Sequence, residues 1–116
     1  MAAPGVPVNL TALVTETPSE AWPLILSATA GFPDYSVTSS TDAQIVLNRH
    51  YVPTGALLTG SLSIMALATT DNTVVINMSA QSGGTLVEIE GIASQDMANK
   101  LDELLYSGVW LHVASH

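Results

Sequence analysis

Residues 73–105 read TVVINMSAQSGGTLVEIEGIASQDMANKLDELL, and this stretch decides the fold. In residues 73–80, Val74, Ile76, Met78 and Ala80 fall on one side of an extended chain, and Thr73, Asn77 and Ser79 fall on the other. In residues 85–90, Val87 and Ile89 alternate with Glu88 and Glu90. Alternation at period two with one wet side marks antiparallel strands that cover a core. Between the strands, Gln81-Ser82-Gly83-Gly84 supplies the positive φ angles of a hairpin turn. Ser94 then caps a helix whose Met97, Leu101, Leu104 and Leu105 repeat at i, i+4, i+7 and i+8. The rest of the chain must supply the other side of this core.

Working outward, residues 6–15 read as a first strand with Val8, Leu10, Ala12 and Val14 on one side. Thr17-Pro18-Ser19-Glu20 opens a helix, with Thr17 as N-cap, Pro18 in the first turn and Glu20 completing a capping box. Trp22, Ile25, Leu26 and Thr29 are its expected inward stripe. Pro23 removes a donor about one turn in, which predicts a kink or a start at Ser19. Gly31 is the expected C-cap, and Pro33 prevents continuation. Residues 35–39 and 43–51 read as a hairpin around Ser40-Thr41-Asp42, with Ala43, Ile45 and Leu47 inward. Residues 55–68 read as a strand, because Gly60, Ser61 and Ser63 weaken a helix and the alternation is clean. Beyond the last helix, Ser107-Gly108 closes it. Residues 109–113 then alternate again, with Val109, Leu111 and Val113 opposite Trp110 and His112.

The expectation is an α+β two-layer sandwich: a mostly antiparallel sheet of about five to six strands with two helices on one face. The chain has 116 residues and reads as one domain, with residues 1–5 a flexible terminus and 107–116 a tail strand.

Two likenesses attach to particular segments. Residues 8–26, a strand followed by Thr17-Pro18-Ser19-Glu20-Ala21-Trp22 and a helix, resemble the opening of START-like helix-grip domains. That likeness implies a curved sheet wrapping a long C-terminal helix around an apolar cavity. Arg49-His50-Tyr51-Val52-Pro53-Thr54, with residues 83–94 (GGTLVEIEGIAS), is similar to small uncharacterised actinobacterial proteins. In those, a membrane hairpin usually follows the Tyr-Val-Pro-Thr element. Residues 55–68 depart from that pattern, being too short and too polar to span a bilayer.

Composition excludes several classes of function. Only 10% of residues are charged, against roughly a quarter in average domains. Lys and Arg total 2, and the net charge is −8. A nucleic-acid surface needs several phosphate-neutralising cations, so that class is excluded, and an anionic membrane surface is disfavoured likewise. Without cysteine there is neither a disulfide framework nor a thiolate metal site. The first residues have neither the cations nor the apolar run of a secretory signal, so the cytoplasm is the expected compartment.

The polar residues assemble no catalytic, cofactor-binding or metal-ligating signature, and the chain is not expected to be an enzyme. His112 and His116 stand four apart, but an extended tail does not bring them together on one metal. The Ser82-Gly83-Gly84-Thr85 turn lacks the following helix and the nearby lysine of a phosphate site. Glu88 and Glu90 read as solvated carboxylates on an exposed strand face, and there is no Gly-x-Ser-x-Gly elbow. Two functions remain. The first is a non-catalytic interaction or assembly module that forms homo-oligomers, with Val109, Trp110, Leu111 and Val113 as its interface by strand addition. The second is a carrier or sensor of a small apolar molecule, with Trp22, Phe32, Tyr35 and Tyr51 lining the pocket.

Overall fold

The structure, a computed structural model, describes residues 5–49 and 73–115. The expected strand over residues 55–68, together with Tyr51 and His116, lies outside the described residues. The described elements are β1 (Val6–Val14), α1 (Pro18–Thr29), β2 (Tyr35–Ser40), β3 (Gln44–Arg49), β4 (Thr73–Gln81), β5 (Gly84–Ala93), α2 (Gln95–Tyr106) and β6 (Val113–Ser115). The strands form one sheet in the order β2-β3-β4-β5-β1-β6, and every pairing is antiparallel. The fold is α+β.

Register explains which side is core. Ile45 pairs with Ile76, Ile76 with Ile89, and Ile89 with Leu10, so one row of branched side chains crosses four strands. Leu47 beside Val74, and Met78 beside Val87 beside Ala12, extend that inner face. The two helices cover it, α1 against β4 and β5, α2 against β1 and β5. Met97, Leu101, Leu104 and Leu105 of α2 are all fully buried, as their spacing predicts. Ala43 and Ala80 keep the expected parity but are exposed, because both lie at the turn ends of their hairpins.

Both helix starts follow from local chemistry. The Thr17 backbone N–H donates to Glu20 Oε1 at 3.0 Å, as does the Thr17 hydroxyl at 3.0 Å. Ser94 Oγ accepts from the Met97 N–H at 3.1 Å, satisfying a first-turn donor of α2. The β4–β5 hairpin is tighter than expected: Gln81 pairs with Gly84, leaving Ser82-Gly83 as a two-residue loop with Gly83 at φ 92°. Gly91 sits inside β5 at φ 144°, where a methyl group would run into the Thr73 carbonyl oxygen.

Three expectations are corrected. First, α1 begins at Pro18 rather than Ser19, and its helical span continues past Pro23 to Thr29. Pro23 is exposed, so water can take the Ser19 carbonyl that loses its donor. Second, the buried stripe of α1 is Ala21, Ile25, Ala28 and Thr29, with Trp22 and Leu26 at its half-buried flank. The small residues let the helix lie close to the sheet. Its C-cap is Ala30 in a right-handed conformation rather than Gly31, and the left-handed residue comes at Asp34, φ 69°. Third, residues 109–113 do not form a strand. Gly108 takes φ 79° and the Val109 N–H donates to Ser107 Oγ at 3.1 Å, so the chain turns here. Extended pairing begins only at Val113.

Candidate functional site

The second face of the sheet is covered by neither helix. By register it carries Asn9 beside Glu90 beside Val75 beside Val46, and Thr11 beside Glu88 beside Asn77 beside Gln44. A third row sets Leu13 beside Leu86 beside Ser79. Glu88 and Glu90 are exposed, whereas Leu13, Val46, Val75, Leu86 and Ile92 are half-buried. Amide and hydroxyl pairs knit the polar positions together. Gln44 Nε2 donates to Asn77 Oδ1 at 2.9 Å, and Thr73 Oγ1 donates to Asn48 Oδ1 at 2.8 Å. Cross-strand polar pairs of this kind fix side chains that would otherwise be free.

The sheet ends differently on its two sides. On one side β2 is the edge, uncharged and bulged between Val37 and Ser39. On the other, β6 pairs with β1 only at Leu13 and Val14. The Thr15 N–H donates to the His112 carbonyl at 2.8 Å and Tyr106 Oη donates to the Thr11 carbonyl at 3.0 Å. Backbone groups of odd-numbered β1 residues therefore face this outer edge. Pro7, which has no N–H, falls in that set, so proline and the Tyr106 hydroxyl blunt the part of β1 that β6 leaves uncovered.

The tail folds back onto its own chain. Leu111 is 0% exposed and belongs to the core, and Val113 and Trp110 pack partly against it. Trp110 lies on α2: its Nε1 donates to Glu103 Oε1 at 3.3 Å, and Lys100 Nζ sits 4.8 Å from its ring centroid. Val109, at 74% exposed, is the one of the four expected interface residues left to solvent. The four expected interface residues thus point in different directions, and Leu111 is occupied within the monomer.

One carboxylate holds the end of this segment. Glu16 Oε1 accepts the His112 backbone N–H at 3.0 Å, and Glu16 Oε2 lies 2.7 Å from His112 Nδ1. Glu16 is in turn fixed to the sheet, since its carbonyl accepts from the buried Thr85 hydroxyl at 2.7 Å. Partial burial pushes the Glu16 carboxyl up, but the hydrogen bonds from the His112 ring and backbone and from its own backbone N–H outweigh it. The net shift is downward, below the usual carboxylate range. Residues 16 and 112 are 96 apart, and neither has a local pattern that announces the other.

The expected pocket residues also have internal partners. Trp22 Nε1 donates to Ser40 Oγ at 2.7 Å. Phe32 meets Tyr35 edge-on, centroids 5.9 Å apart. Tyr35 is buried and its hydroxyl accepts the Ser94 N–H at 2.9 Å, tying the start of β2 to the cap of α2. Trp22 and Phe32 therefore pack beside the core, and Tyr35 belongs to it and makes a structural hydrogen bond there. The solvent side of α2 holds a shallow depression lined by Asn99, Asp102, Glu103, Tyr106 and Ser107.

Among the described residues, no three His, Cys, Asp or Glu side chains converge as a metal centre, and no helix is long and apolar enough to cross a membrane. The class of protein defined by this geometry is α+β, with one sheet face that no element among the described residues covers. Comparison of the chain with protein-family models, with curated proteins and with solved structures finds no match. The two likenesses to known proteins rest on the residues quoted for them.

Proposed function

We propose that this chain is a non-catalytic assembly module that binds a second copy of itself through the sheet face that no element among the described residues covers. The observation that carries the reading is the composition of that face. A solvated antiparallel face ordinarily alternates to polar residues, but here Leu13, Val46, Val75, Leu86 and Ile92 interrupt the Asn, Thr and Gln positions. Its charged side chains, Glu88 and Glu90, lie together on β5. A two-fold partner can lay that strip across Asn77 and Gln44 of the other copy, whose amides offer donors to the carboxylates. Of the expected tail interface, Val109 remains available to such a partner.

Light scattering at tens of micromolar tests this. The expected result is a discrete oligomer that Val75→Lys and Leu86→Lys each convert to a monomer that still melts cooperatively. A monomeric wild-type chain, or an oligomer indifferent to both substitutions, overturns the proposal. Native mass spectrometry of the same sample separates it from the carrier reading, which calls for a monomer with an apolar molecule bound.

A further inference from the structure

We infer that Glu16 and His112 form an acid-sensitive latch that holds the end of the chain, residues 112–115, against the edge of β1 and releases it on protonation while the rest of the sheet stays folded.

The geometry divides into a fixed keeper and a hinged bolt. Glu16 is the keeper, anchored through its carbonyl to buried Thr85, which pairs with Val14 at the end of the β1–β5 ladder. The bolt is the chain from His112 onward, which follows the buried Leu111. Three contacts join them at one residue. His112 gives its backbone N–H to Glu16 Oε1 and its ring Nδ1 to Glu16 Oε2, and its carbonyl accepts the Thr15 N–H. Beyond this cluster β6 offers little hold, with three residues, two register pairs and a bulge between them. Strand addition that short is weak by itself.

Protonation acts on this cluster directly. An ionised carboxylate accepts from both donors of His112. A neutral carboxyl keeps one acceptor oxygen, while its other oxygen carries a proton that meets the ring N–H. The sign follows from linkage. The attached state holds Glu16 below its ordinary value of 4.5, so the latch is at full strength above that value. It weakens as pH falls through the lowered value. The titratable groups facing Glu16 are His112 on the tail and Glu20 on α1, whose like charge adds repulsion, and Thr85 on β5 is uncharged. Val113 then detaches with β6, opening the Leu13–Val14 edge, while Leu111 stays in the core and Trp110 on α2.

Residue-resolved amide exchange tests the latch in the full chain. As pH falls from about 7 to about 3, protection at the Thr15 and His112 amides, corrected for intrinsic rates, should fall severalfold while Ile76 and Ile89 keep theirs. Glu16→Gln should show the low protection already at neutral pH and lose the pH dependence. If that variant does not fold, His112→Ala serves in its place, since it keeps the backbone contact and removes the ring, and it should flatten the acid response at Thr15. Three results overturn the inference: protection that is constant with pH, loss at His112 only together with Ile89, or a wild-type acid response in a folded variant.

Discussion

The two helices have the same length, lie on the same face of the sheet and each start at a hydroxyl residue, yet only one is readable from its sequence. In α2 (QDMANKLDELLY) the apolar residues form one stripe and the rest is polar, so the stripe names the buried side. In α1 (PSEAWPLILSAT) Trp22, Leu24, Ile25 and Leu26 spread over more than half of the helix circumference. Periodicity then does not choose among faces, and packing does. The sheet takes the side with Ala21 and Ala28, where small side chains permit close approach, and leaves Trp22 and Leu26 at the flank. A bulky apolar residue thus reports burial only where polar neighbours mark the alternative.

The largest expected effects test this comparison at the two helix centres. Leu101 and Ile25 are both 0% exposed, and Leu101→Ala and Ile25→Ala should each cost roughly 2–5 kcal/mol in denaturant melts. Leu26→Ala, half-buried, should cost clearly less than Ile25→Ala; equal losses would restore the stripe read from the sequence and break the comparison.

The helix starts come next in size. Thr17→Ala and Ser94→Ala should each destabilise by roughly 0.5–2 kcal/mol. Ser94→Ala should be the costlier, because that hydroxyl accepts a first-turn N–H directly whereas the Thr17 hydroxyl is seen bonded to Glu20. A larger loss at Thr17, measured by thermal or chemical melts, would reverse that order.

The smallest effect separates the caps by pH. The Thr17 backbone N–H, and then its hydroxyl, hold the Glu20 carboxyl below its ordinary value of 4.5. Its contribution to α1 is present above that value and is lost as pH falls through the lowered one. The Ser94 hydroxyl has no proton to gain in that range. Acidification should therefore fray the start of α1 before that of α2 in amide exchange, and Glu20→Gln should abolish the difference. Equal fraying of both starts in the wild type would remove the distinction.

How much was legible follows the range of the interaction. The β4–β5 hairpin, α2 and its Ser94 cap, the Thr17–Glu20 pairing and the α+β class all rest on spacings of a few residues, which the sequence displays directly. The tail was misread for the opposite reason. Alternation over residues 109–113 is the pattern of a strand, but Gly108 turns the chain and Trp110 finds α2. That leaves Leu111 to fill the core and Val109 to face water.

The sequence by itself determined the strands of the central hairpin, the face that α2 buries and the shortage of cations. Only the tertiary structure decided which side of α1 is buried and where the tail lies. It also decided that Tyr35 supports Ser94 and that Glu16 holds His112, pairs separated by 59 and 96 residues. The physical reason is that periodicity is a property of one segment facing an unnamed partner, whereas a contact between distant residues exists only once the sheet has brought their segments side by side.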